Sequence, residues 1–341
     1  MSQRFVVAFA PLILLLTAAT VAAQTLPAPA PPIIGAKSYL VIDSRTGHEL
    51  ASLNADAPLA PASLTKLMTT YVVFKALQDE QIRLEDEVTI SEKAWRTGGS
   101  RMFVEVGTRV SIQDLLMGII VQSGNDASVA LAEHIAGTES VFAELMNQNA
   151  ATLGMHSSHF LNATGLPAQG HTTTARDLAT LARAMIEEFP DYYAWHAVKE
   201  FTYDDIKQSN RNSLLWRDPS VDGLKTGHTD DAGYCLVASA KRDDMRIVSV
   251  VLGTSSTKAR ADGSQALINY GFRFFETRLL FKASEEVTTA RVWKSANENS
   301  RLGVLEDLYI TVRRGAYDQL ESSLDIPAII EAPVVIGQPV A

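Results

Sequence analysis

The chain has 341 residues, of which 46% are hydrophobic, 7% aromatic and 20% charged. This composition is typical of a globular protein, and the length suffices for one large domain and a smaller one. The formal net charge of −9 argues against nucleic acid as a partner. The single cysteine, Cys235, excludes an intrachain disulfide. Because it lies in an apolar segment, we expect a small buried side chain rather than a nucleophile.

The N-terminal residues 1–23 have the features of a secretory signal peptide. Arg4 provides the positive charge, residues 5–16 form the apolar segment, and small residues precede a cleavage site after Ala23. The alternative is a transmembrane anchor, but the apolar segment is short for a span. We therefore predict export, with a proline-rich linker over residues 24–35 behind the signal.

The next segments predict a β-hairpin and then a series of helices. "SYLVIDSRTGHELAS" (residues 38–52) has two strand-like segments around a turn at Gly47. An amphipathic helix is predicted over about residues 64–77. Further helices with typical cap residues are predicted over residues 111–122, 125–137, 139–154 and 174–189.

Strand patterns return after the helices, at residues 222–229, 232–242 and 244–254, and residues 261–280 predict an amphipathic helix. Strands thus lie at both ends of this segment, with helices between them. We predict an α/β (α+β) domain over residues 36–281, with one sheet assembled from its N- and C-terminal parts. Short strand-like segments then predict a small all-β domain over residues 282–341.

The start of the helix at residues 64–77 contains a lysine in an unfavourable place. Lys66 lies where a capping box has Glu or Gln, beside the positive end of the helix. The i, i+3 spacing places it on the same face as Ser63. Burial and the positive helix end both lower the pKa of a lysine, so Lys66 is a candidate base for a serine nucleophile. The alternative is a serine N-cap followed by an exposed lysine.

A second polar triplet, S-G-N at residues 123–125, lies between two predicted helices. The hydroxyl of Ser123 is able to transfer a proton between a lysine and a leaving amine. The side-chain amide of Asn125 both donates and accepts hydrogen bonds, which suits a substrate amide. Taken alone, the triplet is equally typical of a helix N-cap.

A third triplet, K-T-G at residues 225–227, begins a predicted strand. Lys225 and Thr226 provide a cation and a hydroxyl for a carboxylate, and Gly227 permits a substrate to approach the backbone. Taken alone, the triplet also fits a turn before a strand.

The three motifs, in this order behind a signal peptide, resemble those of the low-molecular-mass penicillin-binding proteins that are D-alanyl-D-alanine carboxypeptidases. The segments "DGLKTGHTDDAGYCLVASA" and "NYGFRFFET" are also similar to that family, and the resemblance covers residues 36–341. It implies a β-lactamase/transpeptidase-like domain, with a five-stranded antiparallel sheet flanked by helices, and a β-rich C-terminal domain.

The resemblance further implies a role for each site residue. Ser63 would be the acylated nucleophile, Lys66 its general base and Ser123 a proton relay. Substrate would be bound by Asn125, Lys225, Thr226, Gly227 and Arg260, with the backbone N–H groups of Ser63 and His228 as the oxyanion hole.

The implied reaction is acylation by a peptidoglycan stem peptide ending in D-Ala-D-Ala, release of D-alanine and hydrolysis of the ester. β-Lactams would acylate Ser63 as substrate mimics.

No cofactor, metal or nucleic acid is expected. The expected location is the periplasm or cell envelope. Family members usually continue to an amphipathic helix that binds the membrane surface; the sequence has no such basic, aromatic helix, so membrane attachment stays open.

Four alternatives remain. A class A β-lactamase is disfavoured because no glutamate between the second and third motifs has an asparagine four residues later. A metallopeptidase based on His156 and His159 is disfavoured because these residues lack the H-E-x-x-H spacing. A non-catalytic peptidoglycan-binding protein is disfavoured by the intact motifs. A DD-endopeptidase uses the same residues, and the sequence does not distinguish it from a carboxypeptidase.

Overall fold

A computed structural model describes residues 29–294, 299–321, 323 and 329–332 of the protein. The predicted signal peptide over residues 1–23 therefore lies outside the described residues. Within the described residues, none of the helices has the length and apolar composition that crossing a membrane requires.

The first and larger part contains nine helices and nine strands among the described residues. In chain order they are β1 Ser38–Asp43, β2 Glu49–Leu53, α1 Thr65–Gln78, β3 Glu87–Thr89, α2 Glu92–Arg96, β4 Arg109–Ser111, α3 Ile112–Met117, α4 Asn125–Ala136, α5 Glu139–Thr152, α6 Ala175–Glu188, α7 Pro190–Tyr193, β5 Glu200–Tyr203, β6 Ile206–Ser209, α8 Leu214–Arg217, β7 Val221–Thr229, β8 Gly233–Arg242, β9 Met245–Thr254 and α9 Thr257–Phe274.

One five-stranded antiparallel sheet organises this part, in the order β2-β1-β9-β8-β7. The prediction of a sheet built from both ends of the segment is confirmed. Alternate residues of its strands are buried on opposite faces, because side chains in a strand alternate. In β1, Leu40 and Ile42 pack toward α1 and its neighbours, whereas Tyr39 and Val41 pack in the cluster that includes α9. The sheet thus lies between two helical layers.

Helix α1 differs from the predicted amphipathic helix because it is buried on almost every side. Its threonines do not face solvent. Thr69 Oγ1 donates to Ala163 O at 2.7 Å, and Thr70 Oγ1 donates to Lys66 O at 2.9 Å. The hydroxyls satisfy their hydrogen bonds inside the protein, so the polar face of α1 is compatible with a central position.

The helix predicted over residues 261–280 is too long at its C-terminal end. Helix α9 ends at Phe274, and Phe275–Phe281 form strand β10. This strand pairs with β13, Leu308–Arg313. We therefore propose to place the division between the two parts at Phe275 rather than at residue 282.

The C-terminal part is β-rich, as predicted. A second sheet has the order β12-β11-β14, formed by β11 Glu286–Trp293, β12 Asn299–Gly303 and β14 Ile329–Glu331. The two parts of the chain are in contact: Thr277 Oγ1 on β10 donates to Asp43 Oδ2 on β1 at 2.7 Å.

Candidate active site

Ser63 lies in a single 3-10 turn, Ala62–Leu64, directly before α1. Its side chain caps no helix, so the structure excludes the alternative of a simple N-cap. Ala62 has a φ of +48°, a left-handed conformation that is uncommon for a residue with a side chain. Such strained positions cluster at functional sites, where the surrounding structure holds them in place.

Lys66 is completely buried, and its Nζ lies close to three oxygen atoms. The distances are 3.1 Å to Ser63 Oγ, 2.6 Å to Asn125 Oδ1 and 2.6 Å to Thr164 O. Burial, together with the positive charge of Arg211, lowers the pKa of Lys66 from 10.5 to about 7, and the negative charge of Asp126 acts in the opposite direction. The predicted burial of this lysine is therefore confirmed, and a large fraction of it is neutral near pH 7.

These contacts orient the amine. A neutral amine has two N–H groups and one lone pair. The short distances to Asn125 Oδ1 and Thr164 O account for both N–H groups, because these carbonyl oxygens only accept hydrogen bonds. In the neutral amine, the lone pair is then left for the hydroxyl of Ser63, whose Oγ lies 3.1 Å away, within the range that proton transfer requires.

Ser123 lies where a turn of π-helix, Gly118–Gln122, ends in a left-handed residue. The φ of Ser123 is +67°, and its buried Oγ has no hydrogen-bond partner among the described residues. A buried hydroxyl without a hydrogen-bond partner is unfavourable for stability, unless a ligand or a reacting group forms a hydrogen bond with it. Single π-turns occur frequently at functional sites.

Asn125 begins α4, but its side chain is not free for a substrate in this structure. Oδ1 accepts from Lys66 Nζ at 2.6 Å, and Nδ2 donates to Gly98 O at 2.7 Å. The predicted role in substrate binding therefore stays a prediction, and the contact with Lys66 is one that the sequence analysis did not anticipate.

The K-T-G triplet lies on β7, at the edge of the sheet. A Cβ atom on Gly227 would lie 3.1 Å from Pro61 O and 3.3 Å from Ala62 Cβ. The glycine thus allows β7 to lie directly against the turn that carries Ser63. Lys225 is buried, and its Nζ donates only to Thr226 O, at 3.3 Å, among the described residues. Burial and the charge of Lys66 hold the pKa of Lys225 well below its usual range.

Arg260, on α9, reaches the same strand from the other side. Its guanidinium donates to Gly227 O at 3.1 Å and lies 5.8 Å from the centre of the Tyr234 ring. The Tyr234 ring is stacked on His228 at 3.9 Å. Burial lowers the pKa of Arg260.

A cavity of about 830 Å³ joins these elements. Of the predicted site residues, it is lined by Ser63, Ser123, Asn125, Thr226, Gly227, His228 and Arg260. Lys66 and Lys225 are buried rather than part of its lining. No acidic side chain is among the described residues that line it. Arg211 adds positive charge to that of Arg260, whereas Arg217 and Lys258 are paired with Asp262. The cavity therefore favours an anionic ligand.

Sequence reasoning missed three groups around Lys66. Thr164 contributes only a backbone oxygen, which has no signature in residue type. Arg211 and Asp126 act on Lys66 through their charge. Asp126 follows the S-G-N triplet, and its carboxylate accepts from Met102 N at 2.9 Å and Phe103 N at 2.8 Å. The signal available in the sequence was an aspartate directly after a motif residue; its complete burial is a finding of the structure.

Within the described part of the chain, no group of three or more His, Cys, Asp or Glu side chains is placed to hold a metal ion. Cys235 is buried on β8, as predicted, and Gly253 N donates to its Sγ at 3.4 Å.

The fold and the serine–lysine site define the class of serine penicillin-binding enzymes. The chain belongs to the D-alanyl-D-alanine carboxypeptidase family, whose model matches residues 25–256. A second model, the C-terminal domain of penicillin-binding protein 5, matches residues 275–341. The predicted family and the predicted enzyme class, a serine-type D-Ala-D-Ala carboxypeptidase, are thereby confirmed.

Individual relatives agree with this assignment. The D-alanyl-D-alanine carboxypeptidase DacC of Escherichia coli (strain K12) is 44% identical over 325 residues, which are 93% of this chain and 80% of that protein. The crystal structure of penicillin-binding protein 5 from Haemophilus influenzae superposes with a TM-score of 0.88 at 40% identity, covering 91% of this chain and 92% of that one. Penicillin-binding protein D2 from Listeria monocytogenes, in its ampicillin-bound form, is 30% identical with a TM-score of 0.66, and covers 71% of this chain and 100% of its own.

Proposed function

We propose that the protein removes the terminal D-alanine from peptidoglycan stem peptides through an acyl-Ser63 intermediate, and that it contributes in this way to cell-wall biogenesis. The observation that carries the proposal is the 3.1 Å contact, at the cavity, between Ser63 Oγ and the buried Lys66 Nζ, whose pKa burial lowers to about 7. A serine hydroxyl needs such a base to become a nucleophile.

In the proposed acylation, Ser63 Oγ attacks the carbonyl carbon between the two D-alanines, and Lys66 Nζ accepts the hydroxyl proton. The negative charge formed on the carbonyl oxygen is stabilised by the backbone N–H groups of Ser63 and His228. Ser123 Oγ donates its proton to the leaving nitrogen and takes a proton from the Lys66 ammonium in its place. The C–N bond then breaks, D-alanine departs as a neutral amine, and Lys66 is again neutral. Water then attacks the ester, which releases the shortened peptide and regenerates Ser63.

In the same proposal, Thr226, Lys225 and Arg260 recognise the carboxylate of the terminal D-alanine. Lys225 supports this role because it is a buried amine without an acidic partner among the described residues. An arriving carboxylate would raise the pKa of Lys225 and so favour the ammonium form that pairs with it. Gly227 leaves room for the peptide beside β7, and Asn125 exchanges part of its contact with Lys66 for the substrate amide.

β-Lactams are proposed as inhibitors that acylate Ser63. The ampicillin-bound and cefotaxime-bound structures of the Listeria protein support this extension. We further propose that the protein is exported and acts in the periplasm or cell envelope, on the basis of the signal-like residues 1–23.

The first test of the function is mass spectrometry of a defined pentapeptide and of a crosslinked peptide dimer after incubation with the protein. Loss of one alanine from the pentapeptide identifies a carboxypeptidase, and cleavage of the dimer identifies an endopeptidase. If the protein instead hydrolysed penicillins rapidly and left D-Ala-D-Ala peptides uncleaved, it would be a β-lactamase, and the proposal would be contradicted.

The second test is labelling with fluorescent penicillin. The variant Ser63→Ala should not be labelled, because the acylated oxygen is absent. Ser213→Ala, which alters another serine that lines the cavity, is the matched control and should be labelled like the parent. Equal labelling of parent and Ser63→Ala would show that another residue is the nucleophile.

A further inference from the structure

The orientation of Lys66 depends on a backbone carbonyl, Thr164 O, that belongs to a short turn over residues 162–166. We call this segment the 162–166 turn. The position of a backbone oxygen depends on the backbone conformation and cannot be adjusted by a change of side-chain rotamer. Whatever fixes the turn therefore also fixes one of the two acceptors that direct the lone pair of Lys66 toward Ser63 Oγ.

The side chain of Asn162 organises this turn. Its Oδ1 accepts from Gly165 N at 2.7 Å, from Thr164 Oγ1 at 3.0 Å and from Thr164 N at 3.1 Å. Its Nδ2 donates to Leu166 O at 3.0 Å. One half-buried amide thus makes four hydrogen bonds within five residues, and all of them stay inside the turn. An asparagine is suited to this because it both donates and accepts.

The 162–166 turn also packs closely against the segment that carries Ser63. Gly165 has a φ of +81°, and a Cβ atom built on it would overlap the carbonyl oxygen of Ala62, next to Ser63. On the other side of the turn, Thr69 Oγ1 of α1 donates to Ala163 O at 2.7 Å. The turn therefore touches both elements that carry the Ser63–Lys66 pair, and a displacement of the turn changes the distance between Thr164 O and Lys66 Nζ.

We propose that Asn162 is a positioning residue for acylation: its side-chain amide holds Thr164 O in the place where it directs the lone pair of Lys66 at Ser63. The proposal rests on the proposed function, because it takes Lys66 as the base. Asn162 touches neither Ser63 nor Lys66 by any hydrogen bond among the described residues, so it acts through the turn. Displacing an acceptor by about 1 Å is enough to lower a rate about 100-fold.

The pH dependence of acylation distinguishes positioning from a merely structural role. The charged groups that act on Lys66 are Arg211, before α8, and Asp126, on α4, and the charge of Lys66 in turn lowers the pKa of Lys225 on β7. Glu139, on α5, accepts from Ala163 N in the turn at 3.2 Å. None of these groups is altered when Asn162 is replaced. Loss of the Thr164 O acceptor removes a hydrogen bond that favours the ammonium, so the pKa of Lys66 falls.

The test compares Asn162→Ala, Asn162→Asp and the control Asn149→Ala. Asn149 is also half-buried, but its amide donates to Leu145 O within α5, away from the turn. The second-order rate constant for fluorescent-penicillin acylation is measured from pH 5.5 to 9.5 and divided by the fraction of active sites. D-alanine release and the urea midpoint are measured on the same samples.

Asn162→Ala should lower the high-pH plateau of acylation by about 10- to 100-fold and move the acid limb to lower pH. Asn162→Asp keeps the acceptor oxygen and should restore most of the plateau, while its negative charge moves the acid limb to higher pH. Asn149→Ala should match the parent in both respects. These readouts concern the rate for each active molecule, which a loss of stability alone does not change.

The proposal is overturned if Asn162→Ala keeps the parent plateau and acid limb, or if Asn149→Ala changes them as much. If Asn162→Ala does not accumulate in folded form, Asn162→Asp tests the proposal alone: a high-pH plateau reduced more than 10-fold, although the acceptor oxygen is kept, overturns it. A parent that neither binds penicillin at Ser63 nor releases D-alanine would contradict the proposed function instead, so the two failures are distinguishable.

Discussion

Replacement of Lys66 by methionine separates the chemistry of the buried amine from its effect on stability. Methionine has a similar length and no charge, and Lys66 is completely buried. We expect Lys66→Met to abolish labelling by penicillin. We also expect it to change how the stability of the protein depends on pH, because the unfolded chain binds a proton that the folded protein releases.

The magnitude follows from the pKa. Burial lowers the pKa of Lys66 from 10.5 to about 7, which corresponds to about 5 kcal/mol at about 1.4 kcal/mol for each pH unit. Between these two values the unfolded state carries the proton and the folded state does not, so the stability of the parent rises with pH. From pH 7.5 to 9.5 the expected contribution of Lys66 is about 2.5 kcal/mol. Methionine does not titrate, so it makes no pH-dependent contribution to the free energy of unfolding over this range.

The assay is urea unfolding, followed by tryptophan fluorescence, at several pH values from 7.5 to 9.5. The difference in unfolding free energy, parent minus Lys66→Met, should increase by about 2.5 kcal/mol over this range. The slope is diagnostic rather than the offset, because methionine leaves Asn125 Oδ1 and Thr164 O without their donor at every pH. Lys75→Met, which removes an exposed lysine of the same helix, is the control and should remain parallel to the parent.

Parallel pH curves for the parent and Lys66→Met would refute the reasoning. They would mean that Lys66 keeps its proton in the folded protein up to high pH. A base with that property could not accept the proton of Ser63 near neutrality, so the proposed mechanism would fail with it.

Further variants test other parts of the site. Lys66→Arg should form no penicillin adduct, because a guanidinium keeps its proton at working pH; an adduct formed at the parent rate would exclude Lys66 as the base. Arg211→Gln should move the acid limb of acylation to higher pH and Asp126→Asn to lower pH, each by a few tenths to about one pH unit; shifts of equal sign would contradict the electrostatic account. Gly165→Ala should lower the urea-unfolding free energy by more than about 2 kcal/mol and slow penicillin labelling, because its Cβ overlaps a neighbouring carbonyl. In Gly107→Ala, a matched control with positive φ and open space, only the conformational penalty of about 1 kcal/mol should be observed.

The strands of the central sheet could be predicted from the sequence because each has a short apolar pattern between turn residues. The β8–β9 hairpin is an example. The N-cap of α3 at Ser111 and the C-cap of α4 at Gly137 could likewise be predicted from their residue types. Strand β12 was not predicted, since its residues alternate between exposed and half-buried and include few apolar side chains. The error at residues 275–280 has a similar cause. Their helical spacing continues that of α9, and only the pairing with β13 makes them a strand.

For the candidate active site, residue types were enough to predict Ser63, Lys66, Ser123 and the K-T-G triplet, because their side chains have the functional groups that the proposed mechanism needs. The contacts of Thr164 O and Asn125 with Lys66 depend on tertiary packing. The sequence offers no measure of the distance between residues that are 59 or 98 positions apart, as these are. The amphipathic interpretation of α1 was wrong for a related reason: hydroxyls that appear solvent-facing in the sequence find acceptors in the interior.

The order of strands in the central sheet has a consequence for how the protein folds. Strand β1 pairs with β9, more than 200 positions later in the chain, so its inner edge stays unpaired during synthesis until residue 254 is available. Pairing over such a separation is slow, and an unpaired edge invites aggregation in the meantime. Strand β7 belongs to the same sheet as β1 and β9, and it brings the K-T-G triplet next to Ser63. The gain of penicillin labelling during refolding should therefore report the completion of that sheet.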